Sequence, residues 1–216
     1  AAYAALGIAF GAFFIIRLKL TKYAIGASMI LAILGIMYVT HNNKYIDYAP
    51  DYHKAISHYE FDDLMSATYE FEDVSTMERV YRWVAGYKMI GEYPITGFGP
   101  GNFYTFYKGY SVGLFRTYVS NNIDKSGVHN YYLMTLVEQG FPGLFVFLLL
   151  AFGILIKGEQ IYHQTDKNNK FRRSLIMAIL LSMIVIYAFL LINDLLEAAK
   201  VGSFFFINIA LLINLD

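Results

Sequence analysis

Apolar runs separated by short polar stretches dominate the chain. Ala1 to Ile16 are apolar or small throughout, and Tyr23 to Val39 form a second run. A third extends from near Tyr131 to Ile156, with Glu138 near its entry, a fourth from Ser174 to Ile192 and a fifth from Val201 to Leu215. Runs of this kind predict membrane-spanning helices. The fifth would reach only about 22 Å against a hydrocarbon core of roughly 30 Å, so it is expected to tilt inward, to be cut short or to be re-entrant. Between the second and third runs lies one long polar stretch, Thr40 to Asn130. The pattern predicts an all-α polytopic membrane bundle: two helices in 1–39, a loop domain in 40–130 and three helices in 131–216. Both ends abut apolar runs, so the chain reads as part of a longer protein, truncated at its N-terminus.

Charge orients these elements. Arg17, Lys19 and Lys22 separate the first two runs without an acid. Lys157, Lys167, Lys170, Arg172 and Arg173 outweigh Glu159 and Asp166 between the third and fourth. The positive-inside rule makes both connections cytoplasmic, and puts Thr40 to Asn130 and the turn around Asn193 to Lys200 outside. Charged residues are 16% of the chain, below the quarter or so of a soluble domain, and the net charge is zero, so nothing points to nucleic acid. There is no cysteine, which excludes disulfides and thiol catalysis. Without an internal repeat, inverted-repeat transport architecture gains no support. Charge within the runs is sparse, so any chemistry is expected in the outer loop.

The loop begins with an acidic, tyrosine-rich segment, His41 to Asp73, suited to sugar stacking or to a place at headgroup depth. His53 and His58 are five apart and do not share a helical face, so no metal site is assigned. Ser75 and Glu78 then form a capping box, predicting a helix to about Ile90 that Gly91 and Pro94 terminate. Val80, Trp83, Val84 and Tyr87 fall on one apolar stripe, which predicts that Trp83 and Tyr87 pack on membrane helices or at the interface. Arg79 and Arg82 share another face, where arginine serves either as a snorkelling side chain or as a bidentate fork for a phosphate. Gly97, Gly99 and Gly101, with Pro100 between the last two, predict a tight, close-packing turn; no buried strand precedes it, which disfavours a dinucleotide loop. Asn130 is positioned to cap the third span, so His129 stands at a helix N-terminus, as a loop hydrogen-bonding group or as a neutral general base. Gly140-Phe141-Pro142-Gly143 should kink that helix.

Three stretches together resemble the O-antigen ligase and O-antigen polymerase superfamily of bacterial membrane glycosyltransferases. They are Arg79 followed four residues on by Trp83, the segment Glu92 to Phe103 with Pro94 and its glycines, and His129-Asn130 followed by the spaced Gly140 and Gly143. The resemblance implies transfer of a glycan from undecaprenyl pyrophosphate to an acceptor hydroxyl, at the outer (periplasmic or extracellular) face of the bacterial inner membrane. The acceptor would be lipid A core for a ligase or a growing glycan for a polymerase. It implies no metal and no cofactor, with His129 as the base and arginines on the donor pyrophosphate. Arg79 matches the first arginine; Arg116 is the candidate for the second, with Arg82 behind it. The alternatives are a non-catalytic transporter or flippase subunit for lipid-linked glycans and a membrane scaffold with a sugar-binding loop. Neither needs a base at position 129.

Overall fold

A computed structural model describes residues 2–42, 74–113, 120–122 and 125–216. The His41 to Asp73 segment therefore lies almost entirely outside the described residues, His53 and His58 included, and so does Arg116. The described chain is all-helical, without strands. In order come α1 (Ala2–Arg17), α2 (Thr21–Thr40), α3 (Val74–Ile90), the short α4 (Phe103–Phe106), α5 (Tyr131–Gln164), α6 (Lys170–Phe189) and α7 (Ala199–Asn214). Three of them, α2, α5 and α6, are long and apolar enough to cross a membrane. The helices α1 and α7 are apolar but shorter; the 16 residues of α7 reach about 24 Å. Around its whole circumference α2 exposes apolar side chains, as a lipid-facing helix does.

The chain divides into two compact units, residues 1–32 with 145–216, and residues 33–144. In the first, α1 and α7 pack on α6. Its core is formed by Ile16, Ile161, Tyr162, Ile176, Met177, Ile179, Leu180 and Leu212. Two polar contacts lie inside it: Thr21 donates through both N–H and Oγ1 to Glu159 (3.1 and 2.5 Å), and Asn208 donates to Ser182 (3.0 Å). At the end of α7, Arg172 donates to the Leu215 carbonyl at 2.6 Å, satisfying a carbonyl the helix leaves open.

The second unit has its core where α3 meets the first turns of α5. Tyr81, Val84, Ala85 and Met89 of α3 bury against Phe103, Tyr107, Val128, Met134 and Val137. Gly86 lets α3 approach Leu133 and Val137 closely. The loop helix α3 thus packs on the first turns of α5, with a face other than the predicted stripe. Val84 is buried, Val80 and Trp83 are partly buried, and Tyr87 is 47% exposed. The buried stripe runs through Met77, Tyr81, Ala85 and Met89 instead, because the aromatic cluster Phe103–Tyr107 fills that side. The side chain of Ser75, and with it the predicted capping box, lies outside the described residues. The helix already starts at Val74, and Glu78 turns to Arg82 and Ser120.

Candidate functional site

Two motifs far apart in sequence are joined by a defect in α5. At Gly140 the backbone leaves helical geometry (φ 66°, ψ −172°), and Pro142 has no N–H. The carbonyl of Glu138, four residues before Pro142, therefore has no helical donor. Phe141 turns its N–H to the Pro94 carbonyl at 2.8 Å, which releases the carbonyl of Val137 as well. The glycine segment takes up both: Phe98 N–H donates to Val137 O (3.0 Å) and Gly99 N–H to Glu138 O (2.9 Å). Glycine is required on both sides of this junction. Gly97 has φ +64° and lies against the backbone of Glu138; Gly140 has φ +66° and lies against the carbonyls of Pro94 and Ile95. A Cβ at either would collide with main chain.

The Glu138 side chain completes the junction. It is 5% exposed, and its two oxygens accept from Gly101 N–H (2.8 Å) and Phe103 N–H (3.0 Å). A buried carboxylate needs such partners. In the sequence Glu138 is legible only as an acid near the entry of a span. An acid in an apolar run just before a glycine–proline break was the available signal.

The histidine loop is held by a second buried acid. Glu78 and Arg82 are both buried and pair at 3.5 Å. Arg82 also donates to the Gly127 carbonyl at 3.2 Å, and Ser120 donates to Glu78. Asn122 closes the intervening turn by donating to Ser126 O (2.9 Å) and accepting from Ser126 N–H (2.8 Å). Val128 is fully buried, and Asn130 caps α5 by accepting from Leu133 N–H at 3.0 Å, as predicted. His129 is fixed between these two anchors. Its φ of +57° lies in the left-handed region, which a β-carbon disfavours by roughly 1–2 kcal/mol. Non-glycine residues held there gather at functional sites.

Arg79, Arg82 and Trp83 lie at i, i+3 and i+4 on α3. Arg79 Nε, Arg82 Nε and Trp83 Nε1 are buried and find no hydrogen-bond acceptor among the described residues. The Arg82 charge is matched by Glu78, whereas Arg79 forms no ion pair among the described residues. Among the described residues the face thus carries three unpaired N–H groups and one cation without an ion pair, a combination that suits an anion. Burial pushes the Tyr107 hydroxyl up, and donation to Glu92 raises Tyr110 to about 12. No group of metal-ligating side chains occurs among the described residues.

Every contact of this junction and of the histidine loop falls within residues 1–148, the stretch that matches the O-antigen ligase family. The chain belongs to the O-antigen ligase family. No curated protein and no solved structure matches it. The family match and the apolar helices make the chain a membrane protein of polysaccharide biosynthesis. The residues that carry the resemblance, read locally, divide into two kinds. Pro94, Gly97, Gly99, Gly101, Gly140 and Gly143 belong to the junction, with Gly143 packed against the Gln139 side chain. Arg79 and Trp83 belong to the α3 face, and His129 and Asn130 to the histidine loop.

Proposed function

We propose that this O-antigen ligase family member transfers a glycan from an undecaprenyl-pyrophosphate donor to an acceptor hydroxyl at the outer face of the cytoplasmic membrane. The acceptor is lipid A core or a growing polysaccharide. The observation that carries this reading is the α3 face, on which buried donors of Arg79, Arg82 and Trp83 lack acceptors among the described residues while Arg82 tethers the loop leading to His129.

In this reaction the acceptor oxygen forms a bond to the anomeric carbon, and the bond from that carbon to the pyrophosphate oxygen breaks. Lipid pyrophosphate leaves carrying the electron pair. Arg79, with Arg116 as a second cation, holds the negative charge that grows on the leaving group, and no metal is needed for that task. Arg82 supports them while fixing Gly127. His129 accepts the proton of the attacking hydroxyl. The pinned loop supports this role, because a base must be held within hydrogen-bond reach of the proton it takes.

The test uses purified full-length protein with a lipid-linked glycan donor and its acceptor, with donor affinity measured separately. His129→Gln should lower transfer about 10²–10⁴-fold with donor affinity retained. Arg79→Lys should weaken donor binding, since a point charge replaces a planar fork. A chelator should leave wild-type transfer unchanged. Wild-type turnover by His129→Gln would make the histidine structural and put the base elsewhere, whereas no transfer by the wild type, with donor binding retained, would favour a non-catalytic subunit that handles the same lipid.

A further inference from the structure

A cluster of cations lies in the unit formed by residues 1–32 and 145–216. A cleft of about 590 Å³ opens between α1, the end of α5 and α6. Four cations line it: Arg17, Lys167, Lys170 and Arg173. None of them forms an ion pair among the described residues. The acids of this region are engaged elsewhere. Glu159 accepts from Thr21, Asp166 accepts from the Asn168 N–H, and Asp216 pairs with Lys157 at 2.7 Å. The two arginines rest on aromatic rings, Arg17 on Phe13 (5.9 Å) and Arg173 on Tyr162 (4.5 Å). Stacking on the guanidinium face leaves its N–H edge for a phosphate.

The cleft changes character along α6. Lys170 and Arg173 are followed on the same helical face by Met177, Ala178 and Leu181. From Lys170 to Leu181 the rise is about 16 Å, close to the hydrocarbon depth of one leaflet. Charge at one end and an apolar wall at the other match an amphiphile. A free phosphate would use the charged end alone.

We propose that this cleft is a binding site for an anionic phospholipid, with its phosphate among Arg17, Lys170 and Arg173 and an acyl chain along Met177, Ala178 and Leu181. Basic residues that only enforce topology need neither a shared cleft nor an apolar continuation. The site is independent of His129 and of the glycan-transfer reading.

Lipid-stripped full-length protein in detergent would be titrated with phosphatidylglycerol, phosphatidylcholine and glycerol 3-phosphate, with bound lipid counted by native mass spectrometry. Phosphatidylglycerol should bind at least about tenfold more tightly than the other two. Each cation lost should weaken binding about fivefold, so Lys170→Gln weakens it about fivefold and the Arg17→Gln, Arg173→Gln pair about 25-fold. Lys157→Gln removes the same charge outside the cleft and should change nothing. Lys170 is exposed, so its variant tests the site without disturbing the core. Equal binding of phosphatidylcholine, equal weakening by Lys157→Gln, or wild-type binding by Lys170→Gln would overturn the site. Equal binding of glycerol 3-phosphate would replace the lipid with a free phosphate ester.

Discussion

Glu138 tests the junction most directly. Its carboxylate accepts two backbone N–H groups in different surroundings: Phe103 is 2% exposed, while Gly101 is exposed and can turn to water. A hydrogen bond to a charged group contributes about 1.5–3 kcal/mol, and a buried donor left unmet costs about 1–3 kcal/mol. Glu138→Gln keeps one carbonyl oxygen, which can serve Phe103, and removes the desolvation cost of a buried charge. Its expected cost is about 1–2 kcal/mol. Glu138→Ala removes both acceptors and strands Phe103, at about 3–5 kcal/mol. Such a loss should raise amide exchange of the segment 97–104 by about a hundredfold or more through local opening, measured by mass spectrometry on detergent-solubilised protein. Thermal unfolding should follow the same order, wild type above Gln above Ala, and transfer activity should fall with the opening. Unchanged exchange and melting in Glu138→Ala would refute the claim that this side chain holds the glycine segment on α5.

The remaining predictions address the glycines, the strained histidine and the topology. Gly97→Ala puts a Cβ into the Glu138 backbone at a left-handed φ, and should destabilise by at least about 1–2 kcal/mol in a melting assay. His129→Ala and His129→Gly should both lose transfer, but the glycine variant should melt higher than the alanine one by up to about 1 kcal/mol, because it relieves the left-handed φ at position 129. The reverse order would remove the backbone argument. Asn121 and Asn168 are both exposed. Cysteine at 121 should react with an impermeant thiol reagent in intact cells and cysteine at 168 should not, and the opposite result would invert the membrane orientation. Raising the pH from about 10 to 12 should destabilise the fold in part through Tyr110, which stays protonated to about 12 when folded. The unfolded chain loses that proton first, so Tyr110→Phe should flatten the decline.

The sequence by itself determined the elements. Five apolar runs became five helices, because an apolar run long enough to approach membrane thickness has no better conformation in lipid. Local chemistry also sufficed for the Asn130 cap and the kink at Gly140, since each depends on residues within one turn. Glycine permissiveness showed at Gly97, Gly99 and Gly101, but not what they approach. That partner, the pair of carbonyls released by Gly140 and Pro142, exists only once residues 94–99 lie against α5. The tertiary structure alone selected the buried face of α3, because Val80, Trp83 and Tyr87 are as apolar as the side chains that displaced them. It alone gave Glu138 and Glu78 their tasks. A carboxylate in a sequence carries no mark of which distant N–H or guanidinium it will meet, and burial makes that meeting obligatory.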